Sequence, residues 1–113
     1  MPLSIEQLRR RNAELIERER QEANGKTEFW YLSYADRWGF NGGVIVRAFG
    51  FVHACQRARD LQINPGGEIR GLPCPPDKVP HPKYLDKLLS LPQLEECWGD
   101  MRTLAELKAE ERP

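Results

Sequence analysis

The length of 113 residues fits a single domain, and 17 basic and 17 acidic side chains cancel to zero net charge. Proteins that bind duplex DNA normally carry a basic excess that displaces counterions from phosphates, so the composition argues against that class. Three irregularly spaced cysteines, no apolar leader and no run of about 20 apolar residues predict a cytoplasmic protein with reduced thiols and no membrane-spanning helix.

The chain begins with a predicted charged amphipathic helix over residues 4–23, which we assign to an N-terminal segment of residues 1–25. Ser4 and Gln7 have the spacing of a capping box, in which each side chain bonds to the other residue's backbone. The pair Asn24-Gly25 is typical of a helix stop.

The apolar side of this helix is one narrow stripe. Its spacing fits about two heptads of a coiled coil with a polar position that sets the register. The stripe packs either on the chain's own domain or on a second copy, and the sequence leaves both open. We therefore predict an interface along the residues Ile5, Leu8, Asn12 and Leu15.

A first strand is predicted over residues 28–35, because this stretch is rich in aromatic and other β-forming residues. Alternation places Trp30 and Tyr34 on one face and Phe29 and Tyr31 on the other, so both faces need a cover. Trp30 and Tyr34 are accordingly candidate interface residues. Residues 36–43 are rich in turn formers and predict a loop, followed by an antiparallel second strand over residues 44–49.

The remainder of the core is predicted as a helix over residues 51–61 and a short third strand over residues 68–72. This order gives an α+β class with a small, mainly antiparallel three-stranded sheet (β-β-α-β), a charged N-terminal helix and short C-terminal helices. A proline-rich connector over residues 73–82 precedes short helices over residues 84–89 and 90–98, which complete a core domain of residues 27–98. Residues 99–113 form a charged tail with a helical pattern over residues 103–111.

The turn between the central helix and the third strand is the most distinctive local feature. Adjacent glycines can present bare N–H groups, so the turn is a candidate cradle for an anion. It follows a helix C-terminus, however, where the helix dipole has the wrong sign for an anion, and it equally fits a purely structural corner. The candidate ligand residues in this turn are Asn64, Gly66, Gly67 and Glu68.

Arg37 and Trp38 fall in the predicted loop between the first two strands. Arginine and tryptophan are the residue types that dominate interface hot spots, and both also stack on nucleotide bases. The pair therefore serves as an anchor for a protein partner or, with the glycine turn, as part of a nucleotide site. It equally fits side chains that fold over the edge of the chain's own core.

Catalytic and metal-binding patterns are weak. His53 lies on the polar side of the central helix and His81 lies between prolines, and neither has a spaced partner. Cys74 and Cys97 lack the paired spacing of a zinc clamp. We therefore predict no catalytic residues, no metal and no cofactor.

Three segments together resemble a family of short, uncharacterised proteins found in bacterial genomes, prophages and other mobile elements. They are Phe29-x-x-Leu32-Ser33, Phe40-x-Gly42-Gly43-Val44-Ile45-Val46 and Ile63-Asn64-Pro65-Gly66-Gly67-Glu68-Ile69. The resemblance covers residues 29–89, and the Asn-Pro-Gly-Gly-Glu string is its most specific part. It implies a phage or mobile-element setting and no particular chemistry.

The sequence thus predicts a non-enzymatic accessory protein that self-associates and acts through protein–protein contacts. The alternative is a small-ligand protein that sequesters a nucleotide or other anion at Arg37, Trp38 and the Gly66-Gly67 turn. The expected partners are a second copy, another protein or a small anion, with no membrane.

Overall fold

The structure, a computed structural model, describes residues 4–98. Three strands of this part form one antiparallel sheet in the order β2-β1-β3. The predicted α+β class with its β-β-α-β core is therefore confirmed. The elements are α1 (Ile5–Glu22), β1 (Glu28–Asp36), β2 (Gly39–Ala48), α2 (Phe51–Asp60), β3 (Glu68–Cys74), 3-10 turns at Pro76–Lys78 and Pro82–Tyr84, and α3 (Leu91–Trp98).

The first two strands form a tight hairpin in place of most of the predicted loop over residues 36–43. Asp36 pairs with Gly39, so only Arg37 and Trp38 lie outside the strands. Gly39 and Gly42 take φ values of +130° and +138°, and the register shifts near Gly42 at a β-bulge. The turn-forming residues therefore shape a hairpin and its bulge, which a loop prediction cannot distinguish from irregular chain.

One face of the sheet is covered by α2. Small side chains on α2, namely Ala54, Cys55 and Ala58, let the helix approach the strands closely, and they form one core cluster with them. Tyr34 lies in this cluster with 0% of its surface exposed. The prediction of Tyr34 as an interface residue is therefore wrong, because its side chain faces α2 and cannot reach a partner. Trp30 is half-buried at the edge of the same cluster.

The other face is covered by α3 and by the segment before it, through Ile45, Leu89 and Leu94. Here the predicted helix over residues 84–89 is wrong. Leu89 donates its N–H to the Gly43 carbonyl at 2.8 Å and accepts from the Gly43 N–H at 3.0 Å. This segment extends along β2 because pairing with a strand edge satisfies its backbone groups. The predicted helix ending at Trp98 is confirmed, and the pattern over residues 103–111 lies outside the described residues.

β3 is an edge strand and runs two residues further than predicted, to Cys74. Pro73 is tolerated because an edge strand needs hydrogen bonds on one side only. The outer edge of β2 is partly occupied by Leu89. On the face that α3 covers, the part over β3 is less covered than the part over β2, and Leu72 of β3 is 42% exposed.

Candidate binding surfaces

The predicted ligand residues of the two turns lie together at one end of the sheet, which we call the tip. Asn41 links the turns: its side-chain amide donates to Asp36 Oδ2 at 3.1 Å and to the Gly66 carbonyl at 3.0 Å. Gly67 sits so close to β1 that a Cβ atom there would lie 2.7 Å from the Ala35 carbonyl oxygen. Asn41 was missed from the sequence because it belongs to a bulge that only the strand register reveals.

The tip has a charge distribution that does not favour an anion. The Gly66 N–H donates to its neighbour Asn64 Oδ1 at 2.7 Å, and the Trp38 N–H donates to Asp36 Oδ1 at 2.8 Å. The hydrogen bonds from Asn41 and from the Trp38 N–H lower the pKa of Asp36, which keeps its carboxylate negative. An anion at the tip therefore stays a prediction, and the Gly66 N–H that it would use already has a partner.

Arg37 and Trp38 form an exposed pair at the turn of the hairpin. The indole of Trp38 is 82% exposed, and the Arg37 guanidinium lies 4.7 Å from its ring centroid. Glu68, the last of the predicted tip residues, lies 3.7 Å from Arg70 in an exposed ion pair. The tip thus presents an aromatic ring with a stacked cation, which suits contact with another protein.

One carboxylate of the N-terminal helix forms hydrogen bonds to the core. Glu19 of α1 accepts from the N–H groups of Val52 and His53, each at 2.9 Å, and so caps the N-terminus of α2. Gly50, the residue before α2, has no side chain to provide this cap. It also leaves room for Glu19, because a Cβ atom at Gly50 would lie 2.5 Å from the carboxyl carbon. Sequence reasoning missed Glu19, although a helix beginning after Gly50 signals that a cap must come from elsewhere.

The predicted α1 stripe divides into two halves. Leu15, close to Glu19, is half-buried, as is Asn12. Ile5 and Leu8 are 69% and 47% exposed. The N-terminus of the helix is closed by the predicted capping box, with both of its hydrogen bonds formed. The structure therefore holds α1 at its C-terminal half and leaves the apolar side of its N-terminal half uncovered within the described residues.

A groove of about 940 Å³ lies over the face of the sheet that α3 covers only in part. Tyr31 and Leu72 form its floor, and the proline-rich segment after β3 forms one wall. Leu91 and Trp98, at the two ends of α3, line the opposite side. Trp98 packs edge-on against Tyr31, with 5.0 Å between ring centroids. Its indole N–H donates to the Lys78 carbonyl at 2.7 Å and so holds the two walls together.

Burial shifts the pKa values of two cysteines and one histidine toward their neutral forms. Burial raises the pKa of Cys74 and of Cys97, both in the groove, which favours the thiol over the nucleophilic thiolate. His53 Nδ1 accepts from the Phe49 N–H at 2.9 Å, and burial lowers the pKa of His53. Within residues 4–98, no cluster of His, Cys, Asp or Glu is placed to hold a metal, and no helix is long and apolar enough to cross a membrane.

Comparisons of this chain with models of protein families, with curated proteins and with solved structures found no match.

Proposed function

We propose that this chain is a non-enzymatic binding protein that self-associates through the α1 stripe, acting through protein–protein contacts. The observation that carries the proposal is the N-terminal half of α1, whose apolar side is not covered by any residue between 4 and 98. Ile5 there is 69% exposed, on a helix anchored by Glu19. A helix that is held at one end and apolar along one free side is suited to pair with another helix. A second copy provides the same stripe.

The energetics favour a weak complex. Burying Ile5 and Leu8 from two copies, each partly covered already, contributes roughly 4–6 kcal/mol. This is of the same order as the cost of bringing two molecules together. Self-association is thus expected to be weak and to increase with chain concentration.

The experiment is size exclusion coupled to light scattering over a series of chain concentrations. The proposal predicts a mass that rises with concentration above that of one chain. Arg9 and Arg11 flank the stripe, so added salt should strengthen pairing between two copies by screening like charges. Binding to an acidic partner would instead weaken with salt. A mass equal to one chain at every concentration would remove the self-association proposal.

A further part of the proposal concerns the setting of this activity. The resemblance of residues 29–89 to short proteins of prophages supports an accessory role in a phage or mobile element. The cytoplasm is the corresponding compartment, supported by the three free thiols at Cys55, Cys74 and Cys97. The exposed pair Arg37 and Trp38 is a second contact surface for a protein partner.

A further inference from the structure

The groove beside α3 is open along β3. Apolar side chains of the sheet are exposed there, so this part of the sheet face is a candidate binding surface. Its floor includes Leu72, 42% exposed, beside the buried Cys74. Its polar groups include the basic side chains of Arg70 and Lys78 and the carboxylate of Asp77. An occupant must therefore offer apolar side chains toward the floor. Arg70 is already paired with Glu68, so the rim presents one further basic group, Lys78, and one acidic group, Asp77.

The described chain leads directly to this groove. Trp98 is the last residue of α3, it lines the groove, and its indole is tied to the opposite wall at Lys78. The last described residue, Trp98, therefore lies at the rim. Because Leu91 also lines the groove, α3 borders it from end to end. A chain that turns back after Trp98 would lie alongside α3 and over β3.

The sequence after Trp98 suits such a return. Gly99 is a typical helix stop, and short connections of 2–8 residues join antiparallel helices. Met101, Leu104 and Leu107 then follow at three-residue intervals, as on one side of a helix. A helix over residues 103–111 would be about 14 Å long, close to the roughly 12 Å of α3. Four acidic residues, Asp100, Glu106, Glu110 and Glu111, outnumber the three basic ones in this segment.

From this placement we infer that residues 99–113 of the same chain occupy the groove, with Leu104 and Leu107 against Leu72 and Tyr31. A segment joined to the rim by a few residues is present there at an effective concentration of the order of millimolar. A separate peptide of equal affinity competes with the tail only above that concentration. The tail is thus the resident occupant of the groove, and this surface is separate from the α1 stripe.

The test uses the full chain with labelled leucine methyl groups. Nuclear Overhauser effects are measured between the methyls of Leu72 and those of Leu104 and Leu107, first in uniformly labelled protein. A second sample, with labelled chains diluted in excess unlabelled protein, separates contacts within one chain from contacts between chains. The inference predicts cross-peaks of the same relative strength in both samples. Absent cross-peaks, or cross-peaks lost on dilution, would overturn it.

Substitutions in the tail provide the matched comparison. Leu107→Asp places a charge on the apolar side and should abolish the cross-peaks and move the Leu72 methyl resonances. Ala109→Asp introduces the same side chain on the opposite side of the helical pattern and should leave both unchanged. Leu72 resonances that respond equally to the two variants, or to neither, would contradict docking by this side of the tail.

Discussion

Glu19 is the residue on which the position of α1 depends. Its two carboxylate oxygens accept from the N–H groups of Val52 and His53 in the first turn of α2, where the helix dipole favours a negative charge. The contact joins positions more than thirty residues apart. Sequence reasoning that works within a window of one helix can identify both helices but not a cap that one supplies to the other.

Replacing Glu19 by alanine should lower the free energy of unfolding by about 1–2 kcal/mol, because α2 loses its only N-terminal side-chain cap within the described residues. Urea denaturation measures the change. Glu17→Ala is the matched control on the same helix. Its carboxylate pairs with Arg20 on an exposed surface, so its loss should cost much less. Equal effects of the two substitutions would show that the cap contributes little.

His53 should make stability depend on pH. Burial, and then the charge of Arg57, lower its pKa below the ordinary 6.5, although Glu19 and Asp60 act in the opposite direction. The native state then binds fewer protons than the unfolded state as pH falls through 6.5. This contribution to stability is therefore present above pH 6.5 and is lost below it. Protonation would also replace the acceptor of the Phe49 N–H by a donor.

Two measurements check this behaviour. An NMR titration of the His53 ring should give a pKa below 6.5. Urea midpoints at acidic and neutral pH should differ less in His53→Asn than in the unsubstituted protein, because asparagine offers an acceptor that does not titrate. A ring that titrates above its ordinary value would reverse the expected slope.

At the level of elements, the Asn64 to Glu68 turn acts as the corner between α2 and β3. Gly67 takes a φ of +102° and lies against the Ala35 carbonyl, whereas Gly66, with a φ of +90°, faces open space. Gly67→Ala should therefore destabilise the protein by about 2–4 kcal/mol through strain and a steric clash. Gly66→Ala should cost about 1–2 kcal/mol through strain alone.

Thermal or urea unfolding of the two variants checks this ordering, with each alanine serving as the control for the other. If Gly66→Ala proved as costly as Gly67→Ala, the close approach to β1 would not be what requires a glycine. If a ligand bound at the Gly66 N–H, Gly66→Ala would also weaken ligand binding. Unfolding measured in the absence of ligand does not report that effect.

The elements that sequence predicted well are those whose signals are local. The capping box at Ser4, the alternation around Leu32 and the spacing on α2 each depend on residues within one turn or one strand. The segment before α3 was predicted as a helix because Tyr84, Leu85 and Leu89 have helical spacing. Its pairing with Gly43 is a long-range contact, and tertiary contacts override weak local preference.

The candidate surfaces also differ in whether local sequence could predict them. Arg37 and Trp38 were named as candidate contact residues because they fall in a predicted loop, and the structure places them at the tip with Trp38 exposed. The groove was not predicted. Tyr31, Leu72 and Trp98 come from three elements, and only their packing creates a concave surface. Tyr34 was assigned to an interface because alternation predicts which face of the strand a side chain lies on. It does not predict that α2 covers this face.

At the level of the whole molecule, the core occupies both faces of the sheet, and α1 extends this core from a single anchored half. Among residues 4–98, the stripe of α1 and the groove beside α3 are separate surfaces; the stripe is proposed to contact a second copy, and the groove is proposed to hold residues 99–113. Self-association and occupancy of the groove therefore make independent predictions, and a variant in one surface should not change the other.

The most direct test of self-association compares Leu8→Glu with Ala13→Glu by light scattering at the same chain concentration. Both add one negative charge to α1, but Leu8 lies on the stripe and Ala13 is exposed beside it. The proposal predicts a mass above 13.1 kDa for the unsubstituted chain and for Ala13→Glu, and a mass of 13.1 kDa for Leu8→Glu. The same mass in all three proteins would contradict the proposal.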